Sequence, residues 1–153
     1  MLNRFLLALS LIAVGSATAM AQERQWTLDV SDTDAYLVFG VPESDDVGVS
    51  FWCTLRTGTI TLFVPETDAK LKAKRGVRFS LTAADKIFQL KGQTTANEEA
   101  ASISIEAKLA TADPVFASLR KADRFKLNVG GEEIIYPLVE ADFAGLLESC
   151  RKP

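Results

Sequence analysis

Val47-Gly48-Val49-Ser50-Phe51-Trp52-Cys53-Thr54-Leu55 alternates, with Val47, Val49, Phe51, Cys53 and Leu55 at every second position. That two-residue period marks a β-strand with one face against an apolar interior. Near the other end of the chain, Phe143, Leu146, Leu147 and Cys150 follow the i, i+3, i+4, i+7 spacing of one helix face. Each of the two cysteines therefore points inward from its own element. A disulfide between Cys53 and Cys150 would pin the last helix to a central strand. For a loop of this size, chain entropy sets its contribution at no more than about 4.7 kcal/mol. Two buried free thiols and a redox pair are the alternatives, but a redox pair normally needs close spacing such as C-x-x-C, which is absent.

Short apolar runs separated by turn residues extend in both directions from the central strand. Trp26 to Val30 and Ala35 to Val41 flank Ser31-Asp32-Thr33-Asp34. After Thr57 and Gly58, Thr59 to Val64 returns as a hairpin partner and Pro65 ends it. Val77, Phe79 and Leu81 alternate with polar residues, and Ala84-Asp85 turns the chain into Ile87 to Lys91. Gly92 to Glu99 reads as a polar loop. Ala101, Ile103, Ile105, Ala107 and Leu109 form the cleanest alternation in the chain. Asp113-Pro114 is an N-cap followed by proline at the first helical position, predicting a short helix to about Ala122. Phe125 to Val129 and Glu133 to Tyr136 flank Gly130-Gly131, a pair suited to a tight hairpin. The final helix is expected from about Glu140 to Cys150. About nine strands and two short helices, with no internal repeat or long linker, predict one mainly β (α+β) domain. Its architecture should be an antiparallel β-sandwich or small barrel.

The first 21 residues read as a secretory signal peptide rather than part of that domain. Arg4 precedes an apolar run from Phe5 to Val14, broken only by Ser10. Ala17-Thr18-Ala19 and Ala19-Met20-Ala21 both fit a small-x-small cleavage rule. Ten apolar residues fall short of the ~20 that span a bilayer. Export would place the domain, residues 22–153, in the periplasm or outside the cell, where thiols oxidise. Removing the segment from the 153-residue chain takes away one positive charge, so a formal −3 becomes −4. That mild acidity argues against nucleic-acid binding. After cleavage no stretch is long enough to span a membrane.

Histidine is absent from the chain, which removes Ser-His-Asp and Cys-His catalysis and imidazole metal sites. No phosphate-binding or dinucleotide fingerprint occurs, and neither a metal nor another cofactor is expected. Asp29, Asp32 and Asp34, with Glu43, Asp45 and Asp46, could hold calcium or supply a glycosidase pair. Turn carboxylates in solvent explain them more simply. The basic group Lys70, Lys72, Lys74, Arg75 and Arg78 could meet an anionic glycan or lipid surface. A solvated loop, or a strand edge guarded by lysines, is the plainer account. Trp52 shares a strand face with Gly48, Ser50, Thr54 and Arg56. It reads either as buried under a second layer or as a platform for a ligand or partner protein. Trp26 is expected to anchor the first strand.

The run from Val38 to Cys53, with Val38-Phe39-Gly40-Val41-Pro42-Glu43 at its head, and the ending from Tyr136 to Cys150 together resemble a known group. It is an uncharacterised set of small, signal-bearing periplasmic proteins of proteobacteria that carry one strand cysteine and one C-terminal helix cysteine. The resemblance implies export and the cross-link, and brings no catalytic residue with it. The expectation is thus an exported, non-catalytic periplasmic binding module, partnered by an envelope protein or an anionic surface. An inhibitor of a hydrolase such as lysozyme is the alternative, plugging a cleft with residues 66–76 or 92–99. A glycan hydrolase working through carboxylates alone is the third reading.

Overall fold

The computed structural model describes residues 23–65, 67, 71–97 and 102–153. The segment read as a signal peptide and Lys70 lie outside them. Nine strands form one antiparallel sheet: β1 (Gln25–Val30), β2 (Asp34–Gly40), β3 (Val47–Thr54), β4 (Thr59–Val64), β5 (Gly76–Ala83), β6 (Lys86–Asn97), β7 (Ser102–Ala110), β8 (Arg124–Val129) and β9 (Glu132–Pro137). Among the described residues there are also two helices, α1 (Pro114–Leu119) and α2 (Phe143–Cys150). In space the strand order is β1-β2-β3-β4-β7-β6-β5-β8-β9.

The sheet curls into a half-barrel rather than splitting into two layers. β6 is the longest strand and serves two neighbours, pairing with β5 over Lys86 to Gln93 and with β7 over Gln93 to Asn97. This extent corrects the sequence reading of residues 92–99 as a loop, since the strand runs to Asn97. Gly92 and Thr94 point inward while Gln93 and Thr95 stay exposed. A buried hydroxyl had hidden the alternation. Thr94 Oγ1 donates to the Lys72 carbonyl at 2.6 Å and accepts from the Arg75 N–H at 2.9 Å, so its burial costs no unmade hydrogen bond.

Curling brings the two terminal strands of the sheet toward each other. The Trp26 indole N–H on β1 donates to the Pro137 carbonyl on β9 at 2.7 Å, and the Tyr136 hydroxyl donates to the Gly48 carbonyl on β3 at 3.0 Å. Trp26 thus anchors β1 as expected. The concave side is filled by aromatics. Phe51 meets Phe143 of α2 edge-on at 5.0 Å and Phe116 of α1 at 6.4 Å, while Phe125 stacks on Tyr136 at 5.0 Å. Such pairs add about 0.5–1.5 kcal/mol each beyond the area they bury.

Both helices start at aspartate caps. Asp113 accepts from the Val115 N–H at 3.0 Å and Asp142 from the Gly145 N–H at 2.9 Å. α2 begins at Phe143, later than the sequence suggests, because Glu140 sits in the left-handed region at φ 65° and breaks any earlier turn. Cys53 and Cys150 are joined, with Cα atoms 5.9 Å apart across 97 residues of sequence. The backbone reinforces the joint: the Arg56 N–H donates to Ser149 O and the Gly58 N–H to Cys150 O. Gly130 and Gly131, at φ 61° and 92°, form the two-residue turn between β8 and β9.

Candidate binding surface

The alternation that turns Leu37, Phe39, Phe51 and Cys53 inward also fixes what the convex face of the sheet presents. Across β1 to β7 one row on that face reads Asp29, Tyr36, Trp52, Thr61 and Lys108, each paired directly with the next. The adjacent row reads Thr27, Val38, Ser50, Phe63 and Glu106. Tyr36 and Trp52 stack with ring planes 16° apart and centroids 5.8 Å apart. Tyr36 is 39% exposed and Trp52 and Phe63 are half-buried. The short side chains between them, Ser50 and Thr61, are buried beneath their larger neighbours. Cross-strand aromatic pairs of this kind hold a sheet face together.

Among the described residues no second layer covers this face. Trp52 is half-buried, with Tyr36 stacked beside it. Tyr36 and Phe63 had not been singled out from the sequence. Once Cys53 is fixed as inward, pairing Ala35 with Cys53 turns Tyr36 outward beside Trp52. That register was the missing signal.

A groove of about 390 Å³ opens next to the pair, on the outer side of β1 and β2. Val38, Val41, Pro42 and Val47 supply its apolar surface, and Asp29, Glu43 and Asp46 line it too. The 41–46 loop that walls it is folded back on itself. The Val41 N–H donates to Asp46 O at 2.9 Å, and the Ser44 hydroxyl donates to Val41 O at 2.8 Å. Gly40 permits this closure, because a Cβ there would stand 2.4 Å from the Asp46 carbonyl oxygen. Arg24 ion-pairs with Asp46 and fixes the loop from outside.

The other sequence candidates lie elsewhere. β3 ends at Thr54, and Arg56 sits in the following turn at φ 61°, lining a shallow hollow of about 270 Å³ with Glu148, Arg151, Lys152 and Pro153. It is not part of the Trp52 row. Lys72 and Lys74 are exposed and alternate with half-buried Leu71 and Ala73. Lys74 then turns left-handed at φ 56°, and its N–H donates to Thr94 O. Arg75 is exposed as well, and Arg78 on β5 faces Lys91 across the ladder with both in solvent. The structure thus gathers cations near the β5–β6 ladder, and the aromatic pair on β2 and β3.

The turn acids divide as well. Asp34 accepts from the Thr54 hydroxyl at 3.0 Å and from the Thr33 hydroxyl at 2.6 Å, while Asp29, Glu43 and Asp46 share the groove. Among the described residues no three His, Cys, Asp or Glu side chains gather to hold a metal, and no helix is long and apolar enough to cross a membrane. Comparison with family models, curated proteins and solved structures finds no match in any of the three.

Proposed function

We propose that this chain is an exported, non-catalytic binding module that meets its partner through the convex face of β1 to β4. The observation that supports the reading most directly is the Tyr36–Trp52 stack, held half in solvent on a rigid sheet. Aromatic side chains with an apolar body and a polar tip are costly to leave wet, and they dominate recognition surfaces. The Cys53–Cys150 cross-link fits a location outside the cytoplasm. The resemblance to small periplasmic proteins of proteobacteria makes the periplasm the specific proposal.

Capture from an envelope extract tests the reading. The mature protein and its Tyr36→Ala/Trp52→Ala variant are immobilised side by side, after circular dichroism has shown both folded. Material retained by the wild type and lost from the double variant supports the reading. Equal retention by both proteins refutes it.

The inhibitor reading needs a protruding loop. Residues 92–97 belong to β6, and residues 71–75 are tied to β6 through Thr94. No observation favours it over the sheet face.

A further inference from the structure

We infer that the ligand of this face is an uncharged glycan strand, one sugar ring lying against Tyr36 and Trp52 and its neighbour in the groove beside Val38. The inference rests on the convex face being the binding face. A pyranose ring has an apolar C–H face and a rim of hydroxyls, and the surface has the same two parts side by side. Tyr36 and Trp52 offer part-exposed aromatic surface, while Val38, Val41 and Pro42 continue the apolar strip into the groove. Thr27, Thr54 and Asp29 stand exposed around it, and Glu43 and Ser44 add further oxygen acceptors at the groove. Val38 lies two residues from Tyr36 on the same strand face, so pair and groove form one continuous track.

Charge selects among the occupants. Asp29, Glu43 and Asp46 line the groove, with Arg24 committed to Asp46. A polyanion or an anionic membrane would meet like charge there. The exposed basic group Lys72, Lys74, Arg75 and Arg78 lies on and before β5, and Lys108 of β7 is the cation at the end of the aromatic row. Tryptophan and tyrosine also anchor protein interfaces, and the peptide arm of the titration below separates that occupant from a glycan. Small-ligand grooves combine apolar walls with a few placed polar groups.

Intrinsic fluorescence reads the test directly, since the chain holds only Trp26 and Trp52 and Trp26 is buried. The mature protein is titrated with N-acetylglucosamine tetramer and cellotetraose, and separately with heparin fragments, a polylysine peptide and phosphatidylglycerol vesicles. The expected result is a saturable change with a neutral oligosaccharide. It should weaken about tenfold in Tyr36→Ala, persist in Trp52→Phe by calorimetry, and disappear in Trp52→Ala by the same method. Binding confined to heparin, vesicles or peptide overturns the glycan assignment, as does no saturation at millimolar oligosaccharide. Shortened oligosaccharides after incubation would overturn the non-catalytic reading instead. If envelope capture depends on Trp52 while neutral oligosaccharides fail, only the ligand is wrong. If capture ignores Trp52, the binding face itself is wrong.

Discussion

Tyr136 shows how a single side chain couples the closure of the half-barrel to pH. Its ring stacks on Phe125, its hydroxyl donates to the Gly48 carbonyl, and burial pushes its pKa above the ordinary tyrosine value, opposed in part by the nearby Arg24 guanidinium. An acid with a raised folded-state pKa binds more protons folded than unfolded once the pH passes the unfolded value of about 10. Its contribution is complete below that pH and is lost as the pH climbs toward the folded pKa. Denaturant melts of the wild type at pH 8 and pH 10.5 should therefore show a steeper loss of stability than melts of Tyr136→Phe. At pH 8 the variant should be weaker by about 1 kcal/mol, the worth of one hydrogen bond. Parallel loss in both proteins would mean that Tyr136 does not carry the alkaline sensitivity. Other residues were readable without coordinates: Cys53 and Cys150 each declared an inward position by period alone. The outward aromatics did not, because the value of Trp52 depends on Tyr36 lying directly across the ladder, and cross-strand register is not written in local periodicity.

Among elements, turns were easier to place than to explain. Ala84-Asp85 was recognisable as the link into β6, and Ala83 pairs with Lys86 across it, leaving a two-residue loop. Ala84 and Asp85 sit at φ 48° and 60°, the left-handed pair that a hairpin with right-handed strand twist demands and that glycine and asparagine accommodate best. A non-glycine residue held there costs about 1–2 kcal/mol. Ala84→Asn with Asp85→Gly should thus raise the midpoint of thermal unfolding, gaining about 1 kcal/mol; an unchanged or lower midpoint would show that the turn carries no such strain. The long β6 escaped sequence reading for a different reason. Its outer half is rich in Gln, Thr and Asn, and its order comes from pairing with β7 and from the Lys72–Arg75 backbone closing on Thr94. Composition described the surface of that segment; tertiary contacts decided its conformation.

At the scale of the whole molecule, a single curled sheet has one concave face to bury, and among the described residues two short helices bury it. α1 has six residues and α2 eight, lengths that do not persist as isolated helices in water. Their order must come from packing, and α2 is held there by a bond as well. Phe143, Leu146, Leu147 and Cys150 are all buried, Phe143 meets both Trp26 and Phe51, and the disulfide ties the last residue of α2 to β3. Opening the bridge restores the freedom of a loop of 97 residues in sequence to the unfolded chain, worth between about 2 and 5 kcal/mol. Cys53→Ala/Cys150→Ala should unfold at lower denaturant by that amount, and reductant should destabilise the wild type but not the variant. The tether also joins the core to the surface. Cys53 follows Trp52 on β3, and Ala35, its partner across the ladder, precedes Tyr36. If the bridge keeps the outer pair rigid as well as the chain compact, the double variant should still fold in dilute buffer but lose order at Trp52. Amide exchange along β3, which carries Cys53, and along its neighbour β2 would then speed up more than along β5 and β8, which carry no cysteine. Uniform acceleration across all four strands would confine the disulfide to global stability and leave the binding face independent of it.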